Sequence, residues 1–177
     1  MDKPSRKSPR AQWIDYDAGL FFVTICAKNH IPYFGTIHNG EMRYSEIGII
    51  VDKELAQPHI HHGEIDIPLY CVMPNHIHMM VWVKPDTDEL IETIEQRCPV
   101  RSRRKNPDMA RHVPTLSRYI ASLKSAVSRQ ARKINEHFAW QTRYHDHLIR
   151  GHRDGKMITE YILNNPFNWK HDCFYTE

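Results

Sequence analysis

The stretch Val72-Met73-Pro74-Asn75-His76-Ile77-His78-Met79-Met80-Val81-Trp82-Val83 decides the fold. Beyond Pro74-Asn75, a tight connection, it is rich in apolar, β-branched and aromatic residues and reads as a strand. The two-residue period of a strand sends His76 and His78 to one face and Ile77 to the other. A second strand-like run, Ile65 to Met73, leads into the connection. Two imidazoles on one sheet face are half of a divalent-metal site. The competing reading is a pair of ordinary hydrogen-bonded sheet histidines.

Working outward, Leu20 to Cys26 reads as a buried strand, and Phe34–Ile37 and Glu41–Tyr44 flank the hairpin turn Asn39-Gly40. Ser45 can cap a helix carrying Ile49, Ile50, Lys53 and Leu55 that stops before Pro58. Thr115 caps the clearest helix, in which Leu116, Ile120, Leu123, Val127, Ala131 and Ile134 recur at spacings of 4, 3, 4, 4 and 3. Phe138 to Ile149 reads as extended. A last helix begins near Asp154, carries Met157, Ile158, Tyr161 and Ile162, and must end at Pro166. The order predicts an α+β, ferredoxin-like (RRM-like) antiparallel sheet with helices packed on one face, plus an added hairpin and a C-terminal helix. Such a sheet leaves a face free for a ligand.

The 177 residues fit one domain, taken as 13–177, behind a polar basic tail over 1–12. With 41% hydrophobic and 25% charged residues the chain has the composition of a globular protein. No apolar run approaches the roughly 18–20 residues of a membrane helix, and Met1 to Arg10 has no apolar core behind it, so it is not a secretory signal. Cys26, Cys71, Cys98 and Cys173 form no CxxC pair, which argues against zinc or disulfide frameworks and for a reducing cytoplasm. The net charge of +3 is unevenly spread. Between Arg97 and Lys133, eleven basic residues face only Asp108, so this segment carries +10 and the remainder −7. A solvated surface is the plain reading; so sharp a segregation points to a polyanion partner.

Thirteen histidines make chance HxH triplets expected. His59-Ile60-His61 follows Pro58 and reads as an exposed loop, whereas His145-Asp146-His147 lies in a plausible strand, with His147 the better site candidate. His76 and His78 have the strongest strand context.

Three blocks carry a resemblance. Met73-Pro74-Asn75-His76-Ile77-His78 resembles the HUH signature of single-tyrosine HUH transposases, in particular their REP-associated branch. Trp140 to Arg150 is similar to that branch's aromatic strand, and Tyr161-Ile162-Leu163-Asn164-Asn165-Pro166 with Asn168-Trp169 to its tyrosine-bearing helix. The order holds from about Leu20 to Tyr175. The resemblance implies nicking and rejoining of single-stranded or hairpin DNA through a 5′-phosphotyrosine, with Tyr161 as nucleophile and Mg²⁺ or Mn²⁺ held by His76 and His78. Because such hard cations prefer oxygen, a further oxygen donor is implied. Asn165, one turn beyond Tyr161, matches the position of a polar metal ligand, and helix C-capping is an equal contender. Tyr119 is the alternative nucleophile. Phosphates would meet Arg101, Arg103, Arg104 and Lys105, then Arg118, Lys124, Arg129, Arg132 and Lys133 of the basic helix. Trp82, Trp140 or Tyr144 could stack on bases. The implied partner is hairpin DNA such as a repetitive extragenic palindrome, rather than a membrane or small molecule, bound by a monomer or homodimer in the nucleoid-containing cytoplasm. Two rivals share the fold: a non-catalytic single-strand or RNA-hairpin binder, and a metal hydrolase using water.

Overall fold

The structure, a computed structural model, describes residues 15–58, 62–85 and 115–175. Strands β1 (Gly19–Cys26), β4 (Ile65–Val72), β5 (His76–Val83) and β6 (His145–Leu148) form an antiparallel sheet in the order β4-β5-β1-β6. This is the ferredoxin-like arrangement, with β5 and β1 central. The hairpin β2 (Gly35–His38) and β3 (Glu41–Tyr44) is a separate two-stranded unit turned by Asn39 and Gly40, both at positive φ. The predicted fold class is therefore the observed one.

Two helices, α1 (Glu46–Ala56) and α2 (Thr115–Ala131), cover one sheet face. Phe21, Val23 and Ile25 of β1 and Ile77, Met79, Val81 and Val83 of β5 are fully buried there. They meet Ile47, Val51 and Leu55 of α1 and Leu116, Ile120, Leu123 and Val127 of α2 in one core cluster. The third helix, α3 (Gly151–Asn164), crosses the opposite face, where Thr159 Oγ1 lies 3.8 Å from Met80 Sδ.

Several boundaries differ from the sequence reading for local reasons. Helix α2 stops at Ala131, whose carbonyl takes both the Ile134 and the Asn135 amides, so Ile134 lies outside the helix and half exposed. Its first amide is capped by the Asp17 carboxylate at 2.7 Å. Of the extended reading over Phe138–Ile149, only His145–Leu148 is strand; Trp140 makes a single bridge to Ala27. Helix α3 starts at Gly151, three residues before Asp154, because the Asp154 carboxylate reaches back to the Arg150 amide at 2.8 Å.

Helix α1 begins as predicted: Ser45 Oγ accepts from the Gly48 amide at 3.0 Å and donates to the Tyr33 carbonyl at 2.6 Å. Gly48 lets the helix lie against the backbone of Phe34, since a Cβ there would overlap the Phe34 carbonyl oxygen. Gly48→Ala should gain about 1 kcal/mol of helix propensity and lose about 1–3 kcal/mol to overpacking. The expected net result is a lower urea midpoint at unchanged m-value. A higher midpoint would show that α1 does not press on Phe34.

Candidate functional site

The alternation of β5 that buries Ile77, Met79 and Val81 in the core turns His76 and His78 to the other face. Both imidazoles are nonetheless buried, at 0% and 1% exposure. Their Nε2 atoms lie 2.9 Å apart. His76 Nδ1 meets Asn75 Oδ1 at 2.8 Å, and His78 Nδ1 meets Thr24 Oγ1, across the β1–β5 register, at 2.9 Å. The Asn75 amide nitrogen in turn serves two carbonyls, His30 at 3.1 Å and Phe174 at 2.7 Å.

The chain beyond α3 closes over this pair. A short turn, Trp169–His171, leads to Asp172, whose Oδ2 stands 3.8 Å from His76 Nε2 while Oδ1 accepts the Phe174 amide at 2.7 Å. Among the described residues, His76, His78 and Asp172 form a cluster whose donor atoms all lie within 4.8 Å of one another. Trp169 and Phe174 wall the cluster, with ring centroids 6.0 and 4.9 Å from His76. The sequence reading called for an oxygen donor beside the histidines but did not single out Asp172. It lies eleven positions past Tyr161, beyond a proline-broken helix, and no period connects it to β5.

Helix α3 brings the tyrosine. Tyr161 Oη lies 3.3 Å from His78 Nε2, and its ring meets Phe22 edge-on at 5.9 Å. Asn165 keeps helical angles (φ −58, ψ −43) despite the following Pro166, which directs its side chain inward; it is 4% exposed. Its Oδ1 is buried without a hydrogen-bond partner, although its side chain hydrogen-bonds Tyr161. Asn165 is thus the C-cap residue of α3, and its side chain reaches Tyr161.

Electrostatics follow from burial. Desolvation pushes His76 down to about 2, aided by His78 and His30, and pushes His78 down to about 3. The carboxylate of Asp172 does not offset this, so both rings are neutral and carry lone pairs, the form that ligates metal. For Tyr161, burial raises the phenol above its ordinary value, the Asn165 hydrogen bond lowers it, and Asp172 and Cys173 raise it further. The cluster fits a divalent cation by its chemistry: two neutral imidazoles, an oxygen anion and an orphaned amide oxygen nearby.

The basic helix is not at this site. Helix α2 belongs to the layer behind the sheet, so its cations are separated from His76 and His78 by the core. Lys124 turns inward, donating to the carbonyls of Gln141 at 2.7 Å and Arg143 at 3.2 Å, and burial lowers it to about 8. Arg118 bonds Thr115 Oγ1 at 3.0 Å, and Arg132 Nε the Phe138 carbonyl at 3.2 Å. Arg129 and Lys133 are exposed. Trp140 is half-buried against Phe34 and Phe138 with its Nε1 on the Lys124 carbonyl, and the Tyr144 hydroxyl is 3.2 Å from Ser117 Oγ. Tyr119 is buried in the α1–α2 layer, remote from the cluster. His147 pairs with Asp154 at 2.9 Å, buttressing the start of α3. Trp82, half exposed, shares the histidines' side of β5. His59, His61, Arg101, Arg103, Arg104 and Lys105 lie outside the described residues.

The four-stranded ferredoxin-like sheet thus carries an HxH pair on a central strand, and a helix bearing a tyrosine crosses that face. The chain is 31% identical over 176 residues to an uncharacterised protein of Haemophilus influenzae, covering 97% of this chain and 94% of that one. It is 24% identical over 148 residues to a protein of the same organism assigned by inference as a REP-associated tyrosine transposase, covering 84% and 70%. Its fold is similar to that of a REP-associated tyrosine transposase solved bound to a REP hairpin, with TM-score 0.58 and 16% identity over 93% of this chain and 73% of the other. No family model matches the chain. By these relations, the chain is similar to REP-associated tyrosine transposases in sequence and in fold.

The depressed histidines set an acid limit on folding. Their unfolded-state value is about 6.5, so below it the unfolded chain takes up protons that the folded chain refuses. Stability in the presence of chelator should hold above pH 6.5 and fall as pH drops toward the folded values. Replacing both His76 and His78 by Gln should flatten the decline measured by urea titration between pH 6.5 and 5. An unchanged decline would place the titrating groups elsewhere.

Proposed function

We propose that this protein nicks and rejoins single-stranded or hairpin DNA through a 5′-phosphotyrosine on Tyr161, with Mg²⁺ or Mn²⁺ as cofactor. The observation that carries the reading is the 3.3 Å approach of Tyr161 Oη to His78 Nε2 within one chain. A nucleophile and a metal-ligating face meet there without a second copy, which supports action by a monomer. His76, His78 and Asp172 would hold the cation, with Asn165 Oδ1 as a further donor. Such a cation would supply charge to neutralise the phosphate and to stabilise the leaving 3′-oxygen.

The chain's own residues do the rest. Burial and Phe22 hold the Tyr161 ring, and the Asn165 hydrogen bond favours the ionised form that attacks. The Tyr161 hydroxyl gives its proton to solvent as its oxygen bonds phosphorus and the bond to the 3′-oxygen breaks, and the 3′-oxygen takes a proton from solvent in turn. The 3′-oxygen leaves as a hydroxyl once it is protonated, and the phosphotyrosine ester keeps the energy needed for rejoining. Arg150 and Arg153, exposed at the start of α3, stand on the tyrosine's side of the sheet, Arg153 about 12 Å along the helix from Tyr161. They are better placed than the α2 cations to take phosphates next to the cleaved bond.

Tyr161→Phe removes one oxygen and keeps the ring, so hairpin binding should persist while cleavage and adduct disappear on a denaturing gel with Mn²⁺. An adduct mapped by mass spectrometry to Tyr119, or hydrolysed ends without adduct, would favour another nucleophile or water. Binding with no cleavage by the wild type would favour the non-catalytic binder.

Neutralising Arg150 and Arg153 to Gln should reduce the log–log salt slope of binding by about 0.7 per lost single-strand contact. The same change at Arg129 and Lys133 should reduce it less. The reverse ranking would move the DNA to the α2 layer.

A further inference from the structure

The two histidines are held by different kinds of partner, and the difference has a chemical consequence. The Asn75 side chain is 0% exposed and its nitrogen bonds the carbonyls of His30 and Phe174. Only an amide nitrogen can serve two carbonyls, so the atom facing His76 Nδ1 at 2.8 Å is the amide oxygen. An oxygen acceptor there requires His76 Nδ1 to carry the proton, which leaves Nε2 with its lone pair. His78 Nε2 sits 2.9 Å from that lone pair. Two bare lone pairs at this distance repel, so in the metal-free protein His78 must carry its proton on Nε2 and donate it to His76. His78 Nδ1 is then an acceptor, and the buried Thr24 hydroxyl, 2.9 Å away, must donate to it.

We propose that Asn75 and Thr24 are positioning residues of opposite kind: Asn75 locks His76 in its ligating tautomer, while Thr24 lets His78 exchange one tautomer for the other as metal enters. This inference rests on the metal-site reading above. For His78 Nε2 to become a ligand, its proton must leave and Nδ1 must gain one, with no net change in charge. A hydroxyl both donates and accepts, so Thr24 turns from donor to acceptor without moving its oxygen. An amide oxygen cannot make that exchange, and neither can a methyl group.

The test begins with metal-free protein, using long-range ¹H–¹⁵N correlation spectra of the histidine rings. The expected result is His76 protonated at Nδ1 and His78 at Nε2. Addition of Zn²⁺, a diamagnetic ion that takes imidazole and carboxylate donors, should move the His78 proton to Nδ1 and leave His76 unchanged. The same tautomer on both rings before metal, or a His78 ring that does not respond to Zn²⁺, would overturn the proposal. Thr24→Val keeps the shape and deletes the hydroxyl; by calorimetry Mn²⁺ affinity should fall about 10–100-fold, and Thr24→Ser should restore it. Loss in both variants, or in neither, would reduce Thr24 to a packing role. Asn75→Ala should release His76 into a mixture of tautomers in the metal-free spectrum; if it fails to fold, the Thr24 pair still decides. None of these readouts depends on DNA cleavage, so failure of the tyrosine chemistry would remain distinguishable from failure here.

Discussion

The strict alternation of β5 is the constraint from which the site follows. Ile77, Met79, Val81 and Val83 are fully buried between the sheet and helices α1 and α2, and burial of such side chains is worth about 1.5–3 kcal/mol each. A one-residue slip would send all four to the other face and force two imidazoles into the core. The apolar core thus fixes the orientation of His76 and His78, although it touches neither. The antiparallel register with β1 then delivers Thr24 to His78, because facing residues of paired strands share a side.

A second constraint acts on that opposite face. Buried polar groups cost free energy unless they are paired, and this face buries His76, His78, Asn75 and Thr24 together. Three of the four obtain their partners within β1 and β5 or from each other. Asn75 also needs carbonyl acceptors, and it finds one in the His30 turn and one at Phe174. Satisfying a single amide therefore fastens the C-terminal segment to the histidine strand. Asp172 is carried in by the same attachment, two residues before the carbonyl that Asn75 holds. The carboxylate beside the histidines is thus a product of the same packing that brings the C-terminal segment over them.

This history explains what the sequence could reveal. Strand and helix identity came through because they are written in local periods: the HxH triplet, the Ser45 cap and the Asn39-Gly40 turn need only their neighbours. The sheet face of the two histidines was legible for the same reason. Asp172 is not, because its position depends on Asn75 reaching Phe174 across ninety-nine positions. The end of α2 is not legible at Ile134, whose apolar character fits the helical spacing although the chain has already turned away. Asn165 keeps helical angles before Pro166 with its side chain buried and bonded to Tyr161, and its backbone amide bonded to the Ile162 carbonyl.

Charge is the property for which sequence and structure differ most in meaning. Counted along the chain, Lys124 belongs to a strongly basic segment and looks available to phosphate. In the fold its ammonium is shared between two backbone carbonyls, and burial lowers its pKa to about 8. It ties α2 to the stretch before β6, a job an ammonium performs because it offers three donors. Arg132 does the same for the Phe138 carbonyl, and Arg118 binds within its own helix turn. A cation bonded in this way has part of its donor capacity committed within the fold. On the histidines' side of the sheet, at the start of α3, Asp154 is bonded to His147 and the Arg150 amide, and Arg153 beside it is exposed to solvent. What a basic segment contributes to a polyanion surface is set by which layer the fold assigns it to.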